Sequence, residues 1–260
     1  MMDIRGISTI QRRDSILEML KLEDKVSVSI LADKFSTSEV TIRSDLAVME
    51  QNGLLKRVHG GAVSTRKTYY EMSLNDRMNI NTDEKIRIAK ACAELVEDGD
   101  ALMIDSGTTT RYLARELAER KNLTVVTNAL LISQEFAFSR SVDVILMGGT
   151  LDLQYQFTYG NDIIDQLQQY RVDKTIIATN GISLKHGLTT YHHHESDVCR
   201  QMIERANKVI CVADHSKVGK EGFSKITPIT SIDVLVTDKC DSSASELEAI
   251  RQIGLTVIEV

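Results

Sequence analysis

The sequence predicts an α/β protein in two parts: a small helical head carrying a wing, then a larger parallel-sheet body. Three observations predict it. Two short amphipathic segments, Val28 to Phe35 and a run starting at Ser38, are joined by only Ser36-Thr37, so the two helices must cross sharply. Beyond residue 82, runs rich in Val and Ile alternate with amphipathic stretches, the pattern of a parallel sheet with helices on both faces. Charge is divided as well. The whole chain of 260 residues carries a net charge of −6, yet eleven Lys and Arg face nine Asp and Glu through Lys67, leaving the head at +2 and the rest at −8.

Taken in order, Gln11 to Lys21 is an amphipathic helix through Ile16, Leu17 and Leu20. The next helix offers Ile30, Leu31 and Phe35 as its apolar set. The third runs on from STSEVTIRSDL; Ser36 or Ser38 can cap it, and Ser36 with Glu39 has capping-box spacing. Gly53 after Asn52 is its expected stop. Ile42, Leu46 and Met49 share one stripe at helical spacing. The opposite side holds Val40, Thr41, Ser44 and Val48, with Arg43 at the flank, a short and lightly charged face suited to close approach. In LLKRVHGGA, Leu54, Leu55 and Val58 anchor a two-stranded wing. Lys56, Arg57 and His59 point outward, and Gly60-Gly61 allow a tight turn. Three helices and a hairpin make a winged helix-turn-helix, whose third helix would enter the major groove of double-stranded DNA. The alternative is a plain helical domain with a polar face.

The boundaries expected are a head at 1–65, a linker at 66–82 containing Tyr69-Tyr70, and a body at 83–260. In the body, strands are expected at 101–105, 123–127, 142–147, 174–179, 208–214, 233–238 and 255–260. Helices are expected at 83–96, 108–120, 129–138, 161–170, 195–206 and 245–253. In open parallel sheets, ligands collect at the carboxyl ends of strands. The residues there are Asp105-Ser106-Gly107-Thr108-Thr109-Thr110, Thr127-Asn128, Gly148-Gly149-Thr150, Asn180-Gly181 and Asp214-His215-Ser216-Lys217. A strand, then SGTTT, then a helix offers amides and hydroxyls at a helix N-terminus, which favours an anion such as phosphate. Lys217 would add a cation from another strand end. Ordinary capping by Ser106 or Thr108 is the competing account. Neither a Walker GK[ST] element nor GxGxxG is present, so no dinucleotide or other cofactor is indicated.

His192-His193-His194 invite a zinc reading, but adjacent residues do not readily face one ion and no i, i+4 pair accompanies them. A polar loop with one histidine in the ligand pocket is the expectation, and no metal is assigned. The four cysteines, Cys92, Cys199, Cys211 and Cys240, form no CxxC pair; Cys199 and Cys211 read as packing residues. The opening MMDIRGISTIQRRD lacks an apolar core segment, so neither a signal peptide nor a membrane association is expected, and a reducing cytoplasm is. The modest charge of one head implies weak binding alone, so a homodimer or homotetramer is expected.

The run T-I-R-x-D-L followed by L-L-K-R-V-H-G-G-A resembles the DNA-binding domain of the DeoR/GlpR family of bacterial transcriptional regulators. Arg13, Ser38, Thr41, Ile42, Arg43, Asp45 and Leu46 match its pattern. Ser44 stands where many members carry a second basic residue. The body resembles the family's sensor domain, which is similar to the ribose-5-phosphate isomerase fold, through D-S-G-T-T at 105–109, T-N at 127–128, G-G-T at 148–150 and A-D-H-S-K at 213–217. Ala178-Thr179-Asn180-Gly181 is less glycine-rich than the family's segment. The resemblance implies a phosphorylated sugar or polyol as effector, and Glu195 matches an acidic position able to accept a sugar hydroxyl.

The functional expectation is therefore a repressor of a sugar or polyol catabolic operon under sugar-phosphate control. DNA contacts are assigned to Ser38, Val40, Thr41, Arg43, Ser44, Lys56, Arg57 and His59. The alternatives are a sugar-phosphate isomerase with an appended DNA-binding domain, its base drawn from Asp105, Asp214 or Glu195, and a scaffold that binds DNA constitutively.

Overall fold

The computed structural model describes residues 8–23, 25–51, 54–64 and 74–260. The expected stop at Asn52-Gly53 and the linker pair Tyr69-Tyr70 lie outside the described residues. The chain divides into two compact units, Met1–Ile80 and Asn81–Val260.

The first unit begins with helix α1 (Thr9–Glu23), followed by β1 (Lys25–Ser27), α2 (Val28–Lys34) and α3 (Glu39–Gln51). Strands β2 (Leu55–Val58) and β3 (Gly61–Ser64) come next, then a short helix α4 (Leu74–Asn79). Helix α1 starts on a reciprocal cap, in which the Gln11 N–H donates to Ser8 Oγ and the Ser8 N–H donates to Gln11 Oε1 at 3.3 and 3.1 Å. Ile16, Leu20, Val28, Leu31, Phe35, Ile42, Leu46, Met49 and Leu55 close one core. Burying these groups is the main stabilising term, at roughly 1.5–3 kcal/mol for each large side chain.

Four expectations in this unit need correction. Ser36 does not cap α3: its φ is +48°, a left-handed residue that turns the chain between α2 and α3. Ser38 is the cap, accepting the Thr41 N–H at 3.1 Å. Ile30 is not core, being 59% exposed, while Val28 and Ala32 take its place beside Leu31. The wing has three strands in the order β1-β3-β2, not two. Central strand β3 runs so close to β1 that a Cβ on Gly61 would lie 2.0 Å from the Val26 carbonyl oxygen. Leu55 anchors the wing, whereas Val58 remains 39% exposed.

The second unit is built on seven parallel strands in the order β15-β14-β12-β9-β4-β5-β6. These are β4 (Ala101–Ile104), β5 (Leu123–Thr127), β6 (Val142–Leu146), β9 (Val172–Ala178), β12 (Ala206–Val212), β14 (Val234–Thr237) and β15 (Thr256–Glu259). Helices α5 (Thr82–Ala93), α6 (Thr108–Leu117) and α7 (Leu130–Glu135) bury Ile88, Leu113 and Ile132 on one face. Helices α8 (Asn161–Leu167), α9 (His193–Glu204) and α10 (Ala244–Gln252) bury Ile163, Val198 and Leu247 on the other. Near-continuous apolar strands are what a doubly covered sheet demands.

The sequence reading missed the short antiparallel pieces. Hairpin β7 (Thr150–Asp152) and β8 (Phe157–Tyr159) turns on Asp152, whose Oδ1 accepts the Gln154 and Tyr155 N–H groups at 2.9 Å each. Strands β10 (Gly181–Ser183), β11 (Gly187–Thr190) and β13 (Ser224–Thr227) form a second small sheet. All these strands are three or four residues long, too short for an alternating pattern to declare itself. Cys92, Cys199 and Cys211 are free and buried. Among the described residues, no helix is long and apolar enough to cross a membrane.

Candidate functional site

In the head, α3 is fastened to α1 through Asp45. That carboxylate is almost fully buried and accepts Arg12 Nε at 2.6 Å and Arg13 Nε at 2.8 Å. The anchoring leaves the other side of α3 free to face outward. Ser38, Val40, Arg43 and Ser44 are exposed and Thr41 is half-buried. Val40 presents an apolar group at 73% exposure. Arg43 rests against Glu39, one turn earlier, at 2.7 Å, an exposed pair weak enough to exchange for another anion. On the wing, Lys56 and His59 are exposed. Arg57 is exposed too, but it is tied to α3: its N–H and Nε both donate to the Glu50 carboxylate at 2.8 Å. The tie sets the wing's position relative to α3, a role the sequence did not indicate.

In the second unit, the residues expected to bind a ligand fall at the carboxyl ends of strands, apart from Glu195 in the first turn of α9, and they divide into two kinds. Several are spent on the fold. Thr127 Oγ1 donates to the Ile104 carbonyl at 2.7 Å, and Thr110 Oγ1 donates to the Gly107 carbonyl at 3.0 Å. Asn128 Nδ2 donates to the Thr158 carbonyl at 3.0 Å and so holds the β7–β8 hairpin. A Cβ on Gly181 would meet the Lys220 carbonyl oxygen at 2.5 Å, and one on Gly149 would meet that of Tyr159 at 2.7 Å. Gly148 is bracketed by the Gln166 side-chain amide.

The others form two polar groups. The first surrounds Asp105 at the end of β4. Asp105 is fully buried, and no donor reaches either carboxylate oxygen in hydrogen-bond geometry. The Cys199 thiol and the N–H groups of Ser106 and Ala178 lie near enough to favour its charge somewhat. Burial first, and the Glu195 charge second, outweigh them and push the Asp105 carboxyl well above its ordinary pKa. Glu195 accepts Ser106 Oγ at 3.3 Å and also the Thr190 hydroxyl. The same Thr190 hydroxyl lies 2.8 Å from Asn180 Oδ1, so its single hydrogen serves one of the two oxygens at a time; Asn180 Oδ1 also receives the Tyr191 N–H at 3.1 Å. Ser106, Thr108 and Thr109 are 6–7% exposed. A Cβ on Gly107 would strike Ala178 Cβ at 2.7 Å. The SGTTT turn is thus more enclosed than a surface loop.

The second group surrounds Asp214 at the end of β12. Asp214 Oδ1 accepts Asn81 Nδ2 at 2.9 Å and the Ser216 N–H at 3.1 Å. Burial alone would raise its pKa; Lys217, Ser216, Lys85 and Asn81 outweigh it and hold the carboxyl down at about 2. Lys217 sits in a 3-10 turn, His215–Lys217. His215 turns toward β14, where its Nδ1 meets buried Asp238 at 2.6 Å. Asn81 and Lys85 were not anticipated, since Asn81 fell in the expected linker and a lysine on a helix normally reads as solvated.

The histidine run packs against aromatic rings. His192 is edge-on to Tyr155 at 4.3 Å, and His194 stacks on Tyr159 at 4.3 Å. Among the described residues no cluster of three His, Cys, Asp or Glu side chains is arranged to hold a metal.

A winged head with an outward-facing polar helix, joined to an α/β domain with polar strand ends, defines a two-part DNA-binding transcriptional regulator. The chain belongs to the DeoR family. The DeoR-like helix-turn-helix domain matches residues 12–68 and the DeoR C-terminal sensor domain matches residues 80–239. It is 33% identical over 98% of its length to the putative aga operon transcriptional repressor of Escherichia coli O157:H7, covering 96% of that protein. It is 34% identical to the glycerol-3-phosphate regulon repressor of Escherichia coli K12, over 88% of this chain and 90% of that one. Among solved structures, ribose 5-phosphate isomerase A from Methanocaldococcus jannaschii aligns at TM-score 0.40 and 17% identity, over 53% of this chain and 54% of that one. The family and the relatives are transcriptional regulators rather than enzymes, and this chain is one of them.

Proposed function

We propose that the protein represses a sugar or polyol catabolic operon in the cytoplasm as a homodimer or homotetramer, and that a phosphorylated sugar weakens its hold on the operator. In this reading a head of residues 1–65 binds DNA through Ser38, Val40, Thr41, Arg43, Ser44, Lys56, Arg57 and His59. A sensor of residues 83–260, reached through a linker at 66–82, binds the effector. Of the residues expected there, Asp105, Ser106, Gly107, Thr108, Thr109, Glu195 and Lys217, with the Thr110 main-chain N–H, face the effector, while the Thr110 side chain, Thr127, Asn128, Gly148, Gly149 and Gly181 shape the turns around it.

One observation carries the effector half. The N–H groups of Gly107, Thr108, Thr109 and Thr110 find no acceptor among the described residues, although Thr108 and Thr109 are 6–7% exposed. Buried donors at a helix start require an acceptor, and an anion is the acceptor that the helix dipole favours. Lys217 belongs to a turn two strands away, across β9, which is roughly 10 Å at ordinary strand spacing. That is within reach of a lysine side chain and a bound phosphate. The repressor named for the glycerol-3-phosphate regulon supports a phosphorylated effector of this general kind. For the head, a dimer would supply the second half-site contact that doubles the recognition surface.

The test is operator binding by the full chain, using DNA upstream of its own gene, with sugar phosphates and the matching bare sugars. A phosphate ester should weaken binding where the bare sugar does not. A bare sugar that acts alone, with every phosphate inert, would overturn the effector assignment. Lys217→Ala should abolish the response and leave ligand-free operator binding intact. Weaker ligand-free binding by that variant would make the lysine structural.

A further inference from the structure

The cluster on Asp214 does more than hold Lys217. Helix α5 grips the same carboxylate with its beginning. Asn81, the residue before α5, donates from Nδ2 to Asp214 Oδ1 at 2.9 Å. Lys85 follows one turn later, its N–H bonded to the Asn81 carbonyl at 3.0 Å. Its side chain is 4% exposed and stands among the charges acting on Asp214. The start of α5 therefore bears on Asp214 through the Asn81 hydrogen bond and the Lys85 charge. Ser216 bonds it through its N–H and its hydroxyl, and the Lys217 charge acts on it as well. Asn81 is held at φ +49°, a left-handed conformation uncommon for a residue other than glycine. It is also the first residue of the second unit, immediately after the unit that contains the DNA-binding head.

We propose that Asp214 is a relay: an effector phosphate on Lys217 withdraws that cation from Asp214, and the carboxylate passes the change to Asn81 and Lys85, the point where the sensor joins the chain leading to the head. The inference rests on the effector reading given above. The physical driver is competition for one lysine. A phosphate ester carries about −1.5 to −2 charges against one on a carboxylate, so it takes the larger share of Lys217. Asp214 is buried and cannot turn to water for compensation. Its charge must then be met by the donors that remain, Asn81, Ser216 and Lys85, and two of these belong to the start of α5. Asn81 is a positioning residue here, not an effector ligand.

The experiment removes the Asn81 side chain and leaves both ends of the relay in place. Asn81→Gly suits the left-handed backbone and removes the donor, and Asn81→Ser keeps a small polar side chain one bond shorter than the amide. Operator affinity of each full-length variant is measured without ligand and with glucose 6-phosphate, fructose 1-phosphate and glycerol 3-phosphate in turn. Thermal shift on the same samples reports whether the phosphate still binds. Coupling between sites typically amounts to 5–150-fold in affinity. The wild type should lose operator affinity by about tenfold with at least one of the three phosphates. Both variants should bind that same phosphate and fold like the wild type, with a response cut to less than about threefold. A full response in the variants overturns the relay and leaves the effector reading standing. No response in the wild type to any of the three overturns the effector reading, and the relay with it.

Discussion

The outer face of α3 and the strand ends of the sheet are both assigned to recognition, yet they are built in opposite ways. On α3 the residues proposed to meet DNA are exposed, Thr41 partly so, and the buried Asp45 behind them does the fastening. At the end of β4 the residues proposed to meet the effector are mostly buried, and they lean on one another through Ser106, Glu195, Thr190 and Asn180. The difference follows from the size of the partner. A duplex is large and rigid and must be met from outside, so the protein keeps short side chains on a convex helix. A metabolite is small and must be enclosed to be told from its analogues, so the donors proposed for it lie behind the surface.

The contrast can be broken most severely at Asp45. Replacing it by Ala leaves two partly buried arginines without their shared carboxylate, a loss of about 3 kcal/mol. The head should melt early in a thermal scan and operator binding should disappear, while the sensor transition stays where it was. An unmoved head transition would mean that the core alone orients α3.

Acid should separate the two regions next. Asp214 has its carboxyl lowered from 3.8 to about 2 in the folded sensor. A depressed acid contributes stability above its unfolded pKa and loses it as pH falls through the folded one. The sensor should therefore lose about 2 kcal/mol between roughly pH 4 and pH 2 through this group. Asp214→Asn should flatten that part of the pH–stability curve, and an unchanged curve would remove Asp214 from the account. Asp105 has the opposite sign. Its raised pKa costs the fold stability as pH climbs above the ordinary carboxylate range.

The smallest effect belongs to the exposed face. Arg43→Ala should weaken operator binding by about tenfold, within the 1–3 kcal/mol typical of one base contact. Folding should not change, because the Arg43–Glu39 pair is exposed. A sugar phosphate that stabilises the wild type should stabilise this variant equally; a lost thermal shift would mean that Arg43 is coupled to the sensor.

Much of the head was legible because helical periodicity reports exposure directly. Ile42, Leu46 and Met49 read as core and are core; Val40, Arg43 and Ser44 read as outward and are outward. Ile30 misled because α2 is only seven residues long, and so short a stretch defines its buried face poorly. The seven strands of the main sheet were legible because both faces are covered, which forces continuous apolar runs. The small sheet of β10, β11 and β13 was not, because each strand is brief and its pairing spans distant segments.

By itself the sequence determined the two-part architecture, the order of strands and helices along the chain, and the turns at which polar residues collect. Those depend on local periodicity and on glycine and capping signals, which act within a few residues. Only the tertiary structure decided which polar residues are spent on the fold, as Thr127, Asn128 and Thr110 are, and which converge, as Asp105 with Glu195 and Asp214 with Asn81 do. The pair Asn81 and Asp214 stands 133 residues apart in the chain. A contact of that kind exists only once strand order brings remote turns to one edge, and no local pattern encodes it.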